Sequence, residues 1–278
     1  MANKTYLEVL NWASSFLEEN GQEKTIAKYL LMERYGFTLT EWISHLPKQV
    51  PEEDWLAIQN ELQRIIQHEP VQYVLGHAPF YGEDFIVNEH TLIPRPETEE
   101  LVDLAIQTFA KELPLKVVDV GTGTGIIGIT LKKQCPNWQV TAVDISKEAL
   151  EVACQNAKKL GVSVQFVEGN LLEPIEEPID LLIANPPYIS FKEWEEMDES
   201  VRTHEPAIAL YAANDGLAIY QQLAKQIQGK LAENGGILLE VGYQQGKAVQ
   251  EIFQQVFPEK HVKIHQDLAG KDRMISVC

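Results

Sequence analysis

The 278-residue sequence has only three cysteines, Cys135, Cys154 and Cys278. They are scattered, without the paired spacing of a metal site or a disulfide framework. No metal is expected, and the thiols are read as reduced. Basic residues are scarce too: 23 Lys and Arg stand against 41 Asp and Glu, a formal net charge of −18. A partner held mainly through phosphates needs a basic surface, and no run of Lys or Arg supplies one, so direct nucleic-acid binding is not expected. No apolar stretch is long enough to span a bilayer. Residues 1–6 lack the basic-then-apolar pattern of a signal peptide. The chain is therefore read as cytoplasmic and without a membrane role. A monomer is expected, without a motif that fixes it. No internal repeat or low-complexity tract stands out.

What is present suffices for one large domain or two ordinary ones. Residues 1–74 read as a small helical bundle. Leu7, Leu10, Trp12, Phe16 and Leu17 recur at helical spacing, as do Ile26, Ala27, Leu30 and Leu31, and again Trp55, Ile58, Leu62, Ile65 and Ile66 as far as about His68. Residues 75–93 turn aromatic and β-branched around Phe80-Tyr81-Gly82-Glu83-Asp84-Phe85, which reads as a β-hairpin linker with its turn at Gly-Glu-Asp. Residues 94–278 open with a helix from Pro94 through Ile106 and then alternate strand and helix. Strands are expected at 116–120, 139–143, 163–167, 179–184, 236–241, 262–265 and 273–277. That alternation predicts an α/β fold, a doubly wound and mostly parallel seven-stranded sheet of Rossmann-like type.

Two motifs carry the chemistry. Val117-Val118-Asp119-Val120 runs into Gly121-Thr122-Gly123-Thr124-Gly125 and then a helix. Glycines let the backbone turn tightly beside a ligand, and a helix start offers N–H groups and partial positive charge. Asp144 ends the next strand, about twenty residues on, where an acid can hold ribose hydroxyls. Residues 123–128 also satisfy the dinucleotide pattern G-x-G-x-x-G, so a nicotinamide dehydrogenase is a rival reading. The dense spacing of Asp119-x-Gly121-x-Gly123-x-Gly125 favours S-adenosylmethionine, with Asp119 near its ammonium.

The second motif, Asn185-Pro186-Pro187-Tyr188, follows the apolar run 179–184. Two prolines cannot continue a central strand, and each holds the residue before it extended. The result is a stiff loop presenting the Asn185 side chain and the carbonyls of Asn185 and Pro186, with the Tyr188 ring beside them. Such acceptors suit a planar group carrying an NH2, either a side-chain amide or an exocyclic amine of a base. His204 and Glu205 invite an acid–base reading, but Glu205-Pro206 reads better as a loop-shaping pair, and Arg95 as an exposed residue or half of an ion pair.

The chain resembles the HemK/PrmC family of peptide chain release factor N5-glutamine methyltransferases, which have the class I S-adenosylmethionine-dependent methyltransferase fold. The likeness covers nearly the whole chain. It rests on Pro70-Val71-Gln72-Tyr73-Val74-Leu75-Gly76, on Leu92-Ile93-Pro94-Arg95-Pro96-Glu97-Thr98-Glu99, on both motifs above, and on the ending from Asp267 to Arg273. The resemblance implies methylation of the glutamine amide in the Gly-Gly-Gln motif of bacterial class 1 release factors. It implies that Asp119, Gly121, Thr122, Gly123, Thr124, Gly125, Asp144 and Ile145 hold the cofactor, with Asn170 and Leu171 flanking its adenine and Asn185 beside it. Relatives often carry Asp at the position of Asn170, where Asn keeps an acceptor but removes a charge. Asn185, Pro186, Pro187 and Tyr188 would hold the substrate glutamine, with Asn185, Pro186 and Tyr188 as the catalytic set. The motif alone leaves open a ribosomal-protein glutamine or a nucleic-acid base amine as the acceptor.

Overall fold

The computed structural model describes residues 4–176 and 178–278. The chain forms two compact units. One runs through His77 and includes the short helix Glu199–His204; the other comprises Ala78–Asp198 and Glu205–Cys278.

The described residues of the first unit are mainly helical, with one antiparallel bridge between Thr5 and Gln49. Thr5 and Thr38 cap helices Tyr6–Glu19 and Leu39–His45 with reciprocal capping boxes to Glu8 and Glu41. Helices Thr25–Tyr35, Glu52–Ile65 and Val71–Leu75 complete the set. The buried stripe of the first helix is Tyr6, Val9, Ala13 and Leu17, whereas Leu7 is 45% exposed. Choosing the bulkiest apolar residues thus shifts the expected stripe, because the packed face uses the small Val9 and Ala13. The fourth helix stops at Ile65, earlier than expected, and His68 turns the chain with φ 65°. Helix Glu199–His204 belongs to this unit despite its distance in sequence, and His68 Nε2 lies 3.8 Å from Glu199.

The chain enters the second unit along a hairpin of β1 (His77–Phe80) and β2 (Glu83–Ile86). Its turn is Tyr81-Gly82, not Gly-Glu-Asp. Both residues take positive φ, 51° and 75°, the twist that suits a two-residue hairpin loop. Tyr81 is held there by Glu99, which accepts its backbone N–H at 2.7 Å, and by Asp103, which accepts its hydroxyl at 2.7 Å. Phe80 and Phe85 are buried with Leu101, Val102 and Trp138 in one core cluster.

The main sheet contains β3 (Lys116–Val120), β4 (Gln139–Asp144), β5 (Gln165–Glu168), β6 (Ile179–Ala184), β7 (Leu231–Glu240), β8 (Val262–Gln266) and β9 (Asp272–Val277), in the order β5-β4-β3-β6-β7-β9-β8. The first five of these strands pair in parallel; β9 is antiparallel to both β7 and β8. The sheet is the expected mostly parallel, seven-stranded one. The antiparallel β9 inserted between β7 and β8 departs from the 3-2-1-4-5-6 order of dinucleotide-binding sheets. Strand β7 begins five residues before the expected start, with a register shift opposite Ile179–Leu181. Apolar residues cover both faces of the central strands, as parallel sheets require, leaving their carboxyl ends to build a site.

Candidate active site

A cleft opens at the carboxyl ends of β3, β4 and β6. Its walls include Gly121 to Thr124, Asp144 to Ser146, Gly169 to Leu171, Asn185 to Pro187, and the segment from His90 to Arg95. The sheet brings the two motifs together: β3 and β6 are neighbours, with Val120 opposite Ala184.

The glycine loop depends on backbone shape. Gly121, Gly123 and Gly125 take φ 70°, 53° and 82°. A Cβ on Gly125 would stand 2.7 Å from Ile129 Cδ1 and 3.2 Å from Ala153 Cβ; only glycine gives both the turn and the close packing of the following helix, Ile126–Gln134. Asp119 supports this loop from beneath. It is fully buried, and its Oδ2 accepts from the Thr122 hydroxyl at 2.6 Å and the Gly128 N–H at 2.9 Å. It does not line the cleft. Its Oδ1 has no hydrogen-bond partner among the described residues. Burial pushes the carboxyl up to about 7, against the two hydrogen bonds that hold it down.

Asp144 does line the cleft. Its Oδ2 accepts from Gly123 N–H at 2.8 Å and its Oδ1 from Ser146 N–H at 2.9 Å. Burial raises its pKa, and these backbone donors oppose the shift. Ile145 comes next at 53% exposure, an apolar wall. Leu171 takes φ 55°. Asn170 also lines the cleft and donates through Nδ2 to Glu173 Oε1 at 3.0 Å.

These residues fit S-adenosylmethionine. A carboxylate beside the glycine turn suits ribose hydroxyls, Ile145 and Leu171 suit a flat base, and the partnerless Asp119 oxygen suits a nearby cation.

Asn185 is half-buried, and its Nδ2 donates to Thr98 Oγ1 at 3.1 Å. Thr98, buried in the first turn of helix Pro96–Thr108, donates in turn to Glu240 Oε2 at 2.7 Å. With Nδ2 engaged, Oδ1 remains as an acceptor. Pro186 is buried and lines the cleft with Pro187. Tyr188 is absent from the cleft lining: its ring packs on the core of β6 and β7, and burial pushes its hydroxyl up to about 12. The loop is pinned from behind. Gln245 Nε2 donates to the carbonyls of Tyr188 at 2.8 Å and Asp215 at 3.1 Å, while its Oε1 accepts from Gly242 N–H at 3.1 Å. Ile189 exchanges backbone hydrogen bonds with Leu210 and Ala212, both 2.9 Å.

Glu205 is buried and paired rather than catalytic. Its Oε1 meets Arg95 Nη2 at 2.6 Å and its Oε2 accepts from Ile93 N–H at 3.1 Å, which fixes the strap over the cleft. Sequence reasoning misses Thr98, Glu240 and Gln245 as site residues. Thr98 lies within the family-like stretch from Leu92 to Glu99. Glu240 carries the same signal as Asp119 and Asp144, an acid at the carboxyl end of an apolar strand.

Residues 98–203 match the family model described as "Methyltransferase small domain", and residues 8–76 match the "PrmC N-terminal domain". The chain is 52% identical over 272 residues to the release factor glutamine methyltransferase of Enterococcus faecalis, covering 98% of each. It is 40% identical over 279 residues to that of Bacillus subtilis, covering 98% of this chain and 97% of the relative. A solved methyltransferase structure from Pyrococcus furiosus shares the fold, at 18% identity and TM-score 0.55, over 79% of this chain and 97% of that one.

Proposed function

The chain belongs to the family of release factor glutamine methyltransferases, and from that premise we propose how its cleft performs the reaction. The enzyme transfers a methyl group from S-adenosylmethionine to the side-chain amide nitrogen, N5, of a release factor glutamine. The target we assign is the glutamine of the Gly-Gly-Gln loop, and the place of action the cytoplasm. Among the described residues no helix is long and apolar enough to cross a membrane. Residues 1–74 are assigned to recognition of the release factor, 75–93 to the hairpin linker and 94–278 to methyl transfer.

The cofactor, when bound, supplies an electrophilic methyl group on a sulfonium. The residues proposed to hold it are Gly121, Thr122, Gly123, Thr124 and Gly125, with Asp144 on the ribose and Ile145, Asn170 and Leu171 around the adenine. Asp119 acts mainly through the loop it supports.

A glutamine amide is a weak nucleophile, because its lone pair is delocalised into the carbonyl. The Asn185 Oδ1 and the Pro186 carbonyl accept its two N–H groups. This fixes the direction of the nitrogen and stabilises the positive charge that grows there. Positioning of this kind can supply about 7–11 kcal/mol of the barrier. Pro187 limits the loop to one shape, and Tyr188 serves as the buried anchor of that shape. No base is required for transfer itself, since the methylated nitrogen sheds its proton readily.

The observation that carries this reading is the sharing of one cleft by Asn185 and the glycine loop. Incubation with methyl-labelled cofactor, purified release factor and purified ribosomes, followed by mass mapping, tests it. The label is expected on the Gly-Gly-Gln glutamine. Label on a ribosomal-protein glutamine and none on the release factor would overturn the substrate assignment.

A further inference from the structure

Glu240 and Thr98 are each only 1% exposed; Thr98 reaches the cleft lining, and Glu240 stands behind it. Glu240 in its ionised form can only accept hydrogen bonds. The single hydroxyl proton of Thr98 is therefore directed to Glu240 Oε2, at 2.7 Å. Toward Asn185, at 3.1 Å, the Thr98 oxygen has only lone pairs to offer, so the Asn185 group facing it must be the donor Nδ2. The amide's oxygen then points the other way. The two ends of an amide have nearly the same shape, so packing alone cannot choose between them.

We propose that Glu240 and Thr98 are positioning residues for methyl transfer: a one-way chain of hydrogen bonds from Asn185 through Thr98 to Glu240 keeps Oδ1, not Nδ2, presented to the substrate amide. The inference rests on the reading of Asn185 as the amide acceptor. With the amide reversed, an N–H would face an N–H, and the site would lose its acceptor while keeping its shape.

The chain has a built-in sensitivity to protons. Burial pushes the Glu240 carboxyl up to about 7. The Thr98 bond and Arg273 on β9 pull it down, Glu97 raises it, and Arg95 lowers it. The Tyr188 and Tyr220 side chains also face it, the latter donating to the Glu240 carbonyl at 2.8 Å. Once protonated, Glu240 can donate to Thr98, Thr98 to Asn185 Oδ1, and Nδ2 then turns to the substrate. Turnover should therefore fall as pH drops through the Glu240 titration.

The test compares Asn185→Ala, Thr98→Val, Thr98→Ser and Glu240→Gln by steady-state turnover on the release factor, with cofactor affinity by calorimetry. Thr98→Val is expected to lower kcat on the order of a hundredfold, as loss of an oriented hydrogen-bonding group does, with cofactor affinity unchanged. Thr98→Ser should restore most of the rate. Glu240→Gln can face Thr98 with either end of its own amide, so kcat should fall roughly tenfold and the acid limb of the pH profile should vanish. Wild-type turnover in Thr98→Val beside a collapsed Asn185→Ala overturns the chain but leaves the role of Asn185 standing. Wild-type turnover in Asn185→Ala overturns both. If Thr98→Val melts below assay temperature, the Glu240→Gln profile decides, and an acid limb at the wild-type midpoint overturns the proposal.

Discussion

Strands β3 and β6 run side by side and end level, yet the loops they release are built by opposite means. The loop after β3 owes its shape to backbone: three glycines at positive φ, and a buried carboxylate beneath that accepts from the loop and from the next helix. The loop after β6 owes its shape to side chains, two prolines and the reach of Gln245 to Tyr188, Asp215 and Gly242. The first commits its N–H groups to Val143, Asp144 and Thr122 and sets the start of helix Ile126–Gln134 at the cleft. The second places Asn185, Pro186 and Pro187 there. On the proposed reading, the helix start meets the cofactor's carboxylate and the proline loop meets the substrate's NH2, so one sheet edge serves both by releasing two kinds of loop.

The sharpest way to separate the two loops is Asn185→Ala. It should lower kcat by about 10²–10³ while calorimetric cofactor affinity stays within a few-fold. Equal losses in both would erase the division of labour. The counterpart is Asp144→Ala, expected to weaken cofactor binding by roughly tenfold to a hundredfold, the worth of hydrogen bonds to a charged group. At saturating cofactor its kcat should stay close to wild type. Unchanged affinity would remove Asp144 from the ribose.

Stability distinguishes the loops next. A Cβ on Gly216, at φ 81°, would stand 2.0 Å from the Tyr188 carbonyl oxygen, whereas one on Gly121 meets nothing within 4 Å. Gly216→Ala should cost about 1–3 kcal/mol from the clash beyond the backbone strain, and lower kcat with it. Gly121→Ala should cost only the strain, about 1–2 kcal/mol. Denaturant unfolding of both variants checks the order, and equal costs would mean that the loop after β6 yields as easily as its neighbour.

The smallest expected effect is a slope. The Asp119 carboxyl is raised from its ordinary 3.8 to about 7 in the folded protein. Its contribution to stability is complete below about pH 4 and is lost as pH rises to about 7, because the folded state holds the proton longer than the unfolded chain. Asp119→Asn should remove that part of the slope. Melting curves of the cofactor-free proteins between pH 4 and 8 give the difference, from which Glu240, present in both, cancels.

Much of this site was legible in the sequence because its signals are local. Val117 to Gly125 is one unbroken strand–turn–helix pattern, and the prolines after Ala184 can only end a strand. Five of the seven sheet strands lie within a residue of their expected bounds at each end. What escaped was long-range. Thr98 and Glu240 meet across 142 positions, and Arg95 and Glu205 across 110; no spacing rule links such residues before the sheet forms. Tyr188 shows the limit of reading by neighbourhood. Its proximity in sequence to Asn185 suggests a shared role, but the chain turns after Pro187 and sends the ring into the core. The start of β7 escaped as well: the strand is expected from Gly236, whereas the ladder begins at Leu231 and passes through a register shift.

Gln245 has a further consequence. By joining the ends of three loops with one side chain, it makes the acceptor loop give up its freedom when the chain folds, not when a glutamine arrives. Fixing a residue's backbone costs roughly 1–2 kcal/mol, and for a four-residue loop that sum would otherwise be subtracted from the affinity for every substrate encountered. Capture can then proceed onto a surface that is already in its final form.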